Sequence, residues 1–225
     1  LVAANTQNTQ KTQTQKEAIS VSSLISNRNI PIAISNLNLS FPGYEQTKYS
    51  NKPSNKIKAY AANTYQGLIR NYNEDRVSII LNIAKPPNFE KGRWPKCSFF
   101  GIYDGHGGCK CADFLRDKLH TYVIRDESFP LDPKAALQNG FKKAEEDFIN
   151  NIAINKDNML MDKSGSCAVV ALIVDDVCYI SNVGDSRVIM SKNSGKDLVV
   201  LTNDHKPNEE GENKRINENG GKVYQ

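Results

Sequence analysis

The chain has 225 residues, and 39% of them are hydrophobic, which is enough to bury a sizeable core in one large or two small domains. Lysine and arginine total 29 against 25 acidic residues, and this net charge of +4 is too balanced for the dense basic face that nucleic acids require. Without an apolar run of the ~20 residues that span a bilayer or a secretory signal pattern, the sequence predicts a cytoplasmic or nuclear protein with no membrane span.

The first 56 residues differ in composition from the rest of the chain. Residues 1–16 form a polar tract of Asn, Thr and Gln with no core pattern. The segment 30–44, "IPIAISNLNLSFPGY", alternates apolar and polar residues and could lie against a folded domain. We therefore predict a polar, largely disordered extension over residues 1–56, of which 30–44 could dock, followed by one domain over residues 57–225.

From residue 57 onwards the pattern is that of an ordered domain. Runs rich in β-branched and aromatic residues predict strands over 56–64, 75–84, 97–104, 166–176, 177–184, 187–192 and 197–202. Apolar residues at helical spacing predict helices over 109–124, 132–152 and 207–219. Asp132 and Pro133 are typical of an N-cap and a first helical position. Strands, helices and strands in this order favour an α+β layered fold over a parallel βαβ array.

The cysteines are odd in number, five in all, and most lie among apolar neighbours. Reduced packing residues are therefore a better interpretation than a disulfide framework. Cys109 and Cys111 could supply half of a zinc site, but no second Cys or His pair accompanies them.

The stretch "GIYDGHGG" at 101–108 places a carboxylate where a strand ends and glycines follow at once. There the backbone can approach a ligand closely, so the Asp104 carboxylate and the Gly105 carbonyl form a candidate half of a magnesium or manganese site. His106 is placed to exchange a proton beside it. The alternative is a tight glycine-rich turn with an incidental polar tip.

A second cluster, "RNYNEDR" at 70–76, lies at the entry to another predicted strand. Glu74 and Asp75 are adjacent carboxylates that face opposite ways in an extended chain, so one can reach a metal while the other holds a coordinated water. Arg70 offers a planar fork of donors that suits a phosphate. A solvated charged surface is the alternative for this cluster alone, but the two clusters together indicate metal-assisted phosphoryl chemistry.

Five motifs in order give the chain a resemblance to a known family. They are "RNYNEDR" (70–76), "YDGHGG" (103–108), "GSCAVVALI" (165–173), "NVGDSRVIM" (182–190) and "LTNDHKPNEEGENKRINENGGKV" (201–223). The series resembles the metal-dependent protein serine/threonine phosphatases of type 2C, the PPM family. The resemblance implies two packed antiparallel β-sheets flanked by α-helices, with a two-metal centre at one end of the sandwich.

The resemblance also implies roles for individual residues. Asp104 would be shared by two Mg²⁺ or Mn²⁺ ions, the Gly105 carbonyl and Glu74 would bind metal, and Asp75 would hold coordinated water. Arg70 would bind the substrate phosphate. A metal-bridging hydroxide would then hydrolyse phosphoserine or phosphothreonine in protein substrates with no covalent intermediate.

Three further positions carry an expectation from the same resemblance. His106 would be the acid that protonates the departing oxygen. Asp185 would help to hold a third, weaker metal, with a structural turn aspartate as the alternative. His205, in "DHKP", is expected to be a hydrogen-bonding residue rather than a ligand.

Family members continue past the "GGKV" segment through motifs that supply two more aspartates to the metal centre. We therefore expect the C-terminal part of the fold to be missing here, this chain alone to be inactive, and the complete protein to be a monomeric enzyme. The alternative function is a non-catalytic regulatory or phosphoprotein-binding module. A calcineurin-like metallophosphoesterase is disfavoured, because none of the three histidines lies in a GNH or GHxH motif.

Overall fold

The computed structural model describes residues 19–20, 47–87, 89–90, 92–155, 157 and 159–224. In chain order its strands are β1 (Ile19–Ser20), β2 (Lys48–Ser50), β3 (Tyr60–Ala62), β4 (Arg76–Ile80), β5 (Cys97–Tyr103), β6 (Gly105–His106), β7 (Gly165–Ser166), β8 (Ala168–Val174), β9 (Val177–Val183), β10 (Ile189–Lys192) and β11 (Asp197–Val200). Its α-helices are α1 (Lys110–Arg125), α2 (Pro133–Phe148) and α3 (Glu210–Glu218). The predicted order of strands, helices and strands is confirmed.

The helix α2 begins where the sequence predicts. The Asp132 carboxylate accepts a hydrogen bond from the Ala135 backbone N–H at 3.0 Å, and Pro133 is the first helical residue. The α-helix ends at Phe148, and the chain continues as a π-helical turn over Ile149–Ala153. The helix predicted over 132–152 is thus correct in position, but its last turn is π-helical rather than α-helical.

The centre of the fold is a five-stranded antiparallel sheet with the order β1, β9, β8, β5 and β4. The register of β5 against β8 places Phe99 opposite Leu172 and Phe100 opposite Ala171. Because side chains alternate between the two faces of a sheet, Phe99 and Leu172 lie on one face and Phe100 on the other.

The helices α1 and α2 cover the face that carries Phe99. Here the core is formed by alternate residues of β5 and β8 together with the apolar stripes of both helices, including Tyr103, Leu119, Val123 and Leu137. The opposite face is more open, and Ile102 there is 51% exposed. The sheet therefore has one well-packed face in the described part of the chain.

Three two-stranded ribbons, β2–β3, β6–β7 and β10–β11, complete the pairing among the described residues. Together with the central sheet and the three helices they give a mixed α+β fold with antiparallel sheets, which confirms the predicted class. Within the described ranges, no helix has both the length and the apolar character needed to cross a bilayer. All five cysteines carry free thiols, as predicted.

The predicted boundary at residue 56 falls inside a short folded region. The strand β2 pairs with β3, so residues on both sides of the boundary share one ribbon. Ser54 and Asn55 also donate side-chain hydrogen bonds to the Leu81 carbonyl, which ties the turn to the end of β4. The division into 1–56 and 57–225 stays a prediction, and both the polar tract 1–16 and the segment 30–44 lie outside the described residues.

Candidate metal and phosphate site

The two predicted acidic clusters lie at the same edge of the central sheet. Arg76, the first residue of β4, pairs in antiparallel register with Tyr103, the last residue of β5. Asp75 comes one residue before Arg76, and Asp104 comes one residue after Tyr103. The start of one strand and the end of its antiparallel neighbour always meet at one edge, so the register brings the two carboxylates together.

The glycines of "DGHGG" allow the two segments to approach closely. A Cβ atom at Gly105 would lie 2.4 Å from the carbonyl oxygen of Glu74, so only glycine fits there without movement. The Gly108 backbone N–H donates a hydrogen bond of 2.6 Å to Glu74 Oε1. The Glu74 side chain is consequently only 13% exposed and is held against the loop.

The carboxylates at this edge influence one another electrostatically. Burial raises the pKa of Asp75 above its ordinary value, and the negative charges of Asp104 and Glu74 raise it further, while Arg76 opposes them. Like charges brought together in a half-buried place are stabilised by a cation, and carboxylate oxygens are the ligands that Mg²⁺ and Mn²⁺ prefer. The chemistry of these donors therefore fits a hard divalent ion.

The same donors do not form a closed metal site. In the part of the chain that the structure describes, no group of three or more His, Cys, Asp or Glu residues is arranged to hold a metal ion. The metal-ligand roles of Glu74, Asp75, Asp104, Gly105 and Asp185 stay predictions.

Arg76 holds the "RNYNEDR" segment in place, a role that the sequence did not suggest. Its Nε lies 2.7 Å from Oδ1 of Asp113 on α1, and its Nη1 donates 2.8 Å hydrogen bonds to the backbone carbonyls of Asn73 and Asp75. The Asn73 side chain in turn accepts the Asp75 backbone N–H at 2.9 Å. The planar guanidinium thus joins the acidic loop to the first turn of α1.

We call the sheet edge that carries Glu74, Asp75 and Asp104 the acidic edge. The Arg70 side chain is 75% exposed and lies beside it. Its Nη1 is 3.8 Å from Glu74 Oε2, a weak ion pair at this exposure. At this exposure the guanidinium is accessible to an incoming anion next to Glu74. The phosphate-binding role of Arg70 stays a prediction.

His106 lies in the short ribbon that β6 forms with β7, opposite Gly165. A Cβ at Gly165 would lie 2.4 Å from His106 Nε2, so the imidazole rests directly on the backbone of the facing strand. The ring is otherwise exposed, two residues from Asp104. The proton-transfer role of His106 stays a prediction.

Asp185 reaches the same region through Cys167, another contact that the sequence did not suggest. The Cys167 backbone N–H donates to the Asp104 carbonyl at 2.9 Å, and its thiol lies 3.4 Å from Asp185 Oδ1. His205 exchanges two hydrogen bonds with Gly184, one from each backbone N–H, at 3.0 and 3.3 Å. It therefore makes the hydrogen bonds expected of an architectural residue.

The described fold and site define an antiparallel α+β protein with acidic loops, an exposed arginine and an exposed histidine at one sheet edge. The family model described as Protein phosphatase 2C matches residues 69–225, which include all of these loops. The chain belongs to the protein phosphatase 2C family. This finding confirms the predicted resemblance, and the family is generally metal-dependent.

Known relatives support the same assignment. The chain is 40% identical over 127 residues to a probable protein phosphatase 2C 7 of Oryza sativa subsp. japonica, covering 56% of this chain and 32% of that protein. It is 40% identical over 124 residues to a probable protein phosphatase 2C 76 of Arabidopsis thaliana, covering 55% of this chain and 28% of that protein. The matched segment thus spans about a third of each relative.

A solved structure shares the fold. The chain resembles a structure described as a C. elegans sex determining protein, with a TM-score of 0.53 and 25% sequence identity. The match covers 69% of this chain and 37% of that chain.

Proposed function

We propose that the complete protein hydrolyses phosphoserine and phosphothreonine in protein substrates with the help of Mg²⁺ or Mn²⁺. The observation that carries this proposal is the convergence of Glu74, Asp75 and Asp104 at one edge, with the exposed Arg70 beside them. Three acids attract divalent cations, and the adjacent arginine attracts the substrate phosphate.

In this proposal each residue has one task. Asp104, Glu74 and the Gly105 carbonyl would hold two divalent ions, and Asp75 would hold water in their coordination shell. When bound, the ions supply a nucleophilic hydroxide at neutral pH and offset charge on the phosphoryl oxygens. No covalent phosphoenzyme would be needed. Asp185 helps to hold a weaker third cation.

The substrate is oriented and protonated by the remaining two residues. Arg70 binds the phosphate through two parallel N–H donors, which fixes the phosphorus relative to the acidic edge. His106 delivers a proton to the serine or threonine oxygen as the P–O bond breaks. Both side chains are exposed, as groups that meet a protein substrate must be.

The experiment measures the protein expressed from its native reading frame, with manganese titrated against a chromogenic phosphate ester. Arg70→Ala should raise KM by about tenfold or more, the effect of losing a charge-assisted contact, and leave the manganese midpoint unchanged. Arg93→Ala is a matched control, because the Arg93 side chain is 74% exposed, like that of Arg70, but pairs with Asp175 rather than with Glu74. A large loss of manganese affinity in Arg70→Ala would show that this arginine acts on the metals.

A second candidate function is a phosphoprotein-binding module without turnover. It is favoured by one observation, namely that the described residues contain no group of three or more ligands arranged for a metal ion. It predicts manganese-independent binding of phosphopeptides that Arg70→Ala abolishes. Manganese-dependent release of phosphate by the purified protein would rule this function out.

A further inference from the structure

Cys167 joins the two segments that carry Asp104 and Asp185. It lies between β7 and β8, where its backbone N–H donates to the Asp104 carbonyl oxygen at 2.9 Å. Its Sγ lies 3.4 Å from Asp185 Oδ1. The thiol is the donor in this contact, and the carboxylate oxygen accepts.

The backbone next to Asp185 is fitted to the sulfur atom. A Cβ at Gly184 would lie 2.4 Å from Cys167 Sγ, and Gly184 has a φ of +102°, so glycine is required by both space and conformation. On its other side Gly184 is fixed by the two hydrogen bonds with His205. The start of the Asp185 loop is therefore held between a thiol and an imidazole.

The environment of Cys167 differs from that of the packing cysteines. Cys97 and Cys111 are buried members of the hydrophobic core, whereas Cys167 is half-buried and outside it. Its thiol makes a hydrogen bond to the Asp185 carboxylate at 3.4 Å. The sequence-based interpretation of Cys167 as one more packing residue is therefore incomplete.

We propose that Cys167 is a positioning residue that orients the Asp185 carboxylate at the acidic edge. The thiol occupies Oδ1 as a hydrogen-bond donor, which leaves Oδ2 available to a cation. The inference rests on the proposed function only in taking Asp185 as a cation ligand. Groups that orient metal ligands in this way typically change metal affinity when they are replaced.

The test compares Cys167→Thr with Cys167→Val in the protein expressed from its native reading frame. These side chains have nearly the same shape, but only threonine retains a hydrogen-bond donor, so steric effects of the two changes should match. Manganese binding is measured directly by calorimetry, independently of turnover. We expect valine to weaken binding at the Asp185 site about fivefold relative to threonine, the equilibrium factor of one ordinary hydrogen bond. The melting temperature of the valine variant should lie no more than about 4 °C below that of the threonine variant, the effect of losing one hydrogen bond.

A double-mutant cycle identifies the route of the effect. In an Asp185→Asn background the difference between the Cys167→Thr and Cys167→Val proteins should vanish if the thiol acts through Asp185. Equal manganese affinity of the two variants in the native background, or an undiminished difference beside Asp185→Asn, would overturn the proposal. If neither variant folds, Cys167→Ser against Cys167→Ala provides the same comparison. Absence of phosphatase activity with the difference between the two variants intact would refute the proposed function but not this inference.

Discussion

Replacing Gly105 by alanine should separate the two acidic segments. The new Cβ would lie 2.4 Å from the Glu74 carbonyl oxygen, about 1 Å inside the ordinary van der Waals contact of 3.4–4 Å. The obstacle is backbone that Arg76 also anchors, so it cannot rotate away as a side chain tip could. Overpacking of this kind costs about 1–3 kcal/mol of unfolding free energy. A domain of this size should lose about 2–4 °C of melting temperature for each kcal/mol.

The same movement should weaken metal binding by about 10–100-fold, as is typical when the support of a metal ligand is disturbed. Thermal unfolding without metal and calorimetric titration with manganese measure the two effects separately. Gly211→Ala is the control, because nothing lies within 4 Å of a Cβ at that helical position. It should stabilise the protein by up to about 1 kcal/mol. A Gly105→Ala protein with unchanged melting temperature and manganese affinity would refute the close-approach argument.

Three further predictions concern charge. Asp104→Asn keeps the side-chain shape and removes one negative charge. If Asp104 holds two cations, as proposed, this change should lower turnover of the full-length protein by more than about 10²-fold with little change in melting temperature. Near-normal activity would mean that "DGHGG" is only a turn. Arg76→Met should destabilise the fold more than Asp113→Asn, because the Asp113 variant keeps both hydrogen bonds from Arg76 to backbone carbonyls. Equal losses of unfolding free energy in urea would contradict this. Burial lowers the pKa of His120 below its usual 6.5. The neutral imidazole therefore contributes its full share to the folding stability above pH 6.5, and this share is lost as pH falls through the lowered pKa. His120→Gln should therefore flatten the fall in melting temperature between about pH 7 and about pH 5, and an unchanged slope would argue against it.

The local elements could be predicted because their signals lie close together in the chain. Alternation in "CSFFGIY" gives β5, helical spacing gives α1 and α2, and Asp132 with Pro133 marks where α2 begins. The π-helical turn over Ile149–Ala153 was not predicted, because its apolar spacing is close to that of an α-helix. In the ribbon β2–β3 the sequence predicted β3 but not β2, because β2 has no strong alternation of apolar and polar residues.

The family resemblance predicted that the two acidic clusters share one site, but the sequence did not predict the contacts that hold them there. The motifs identify Arg70, Glu74, Asp104 and Asp185 as chemically suitable groups, because oxygen donors beside glycines suit metals and guanidinium suits phosphate. They give no indication that Arg76 binds Asp113, 37 residues further along the chain. Nor do they indicate that a thiol at Cys167 contacts Asp185.

The sequence by itself determined the class of fold, the positions of most strands and helices, and the chemical nature of the acidic loops. Only the tertiary structure decided how Asp75 and Asp104 are brought together, because this depends on the antiparallel register that sets Arg76 opposite Tyr103. A shift of one residue in that register would turn the strand's side chains to the other face and move the carboxylates apart. Register is fixed by how Phe99, Tyr103 and their neighbours pack beneath the helices. Such packing depends on residues distant in the chain, which local patterns do not encode.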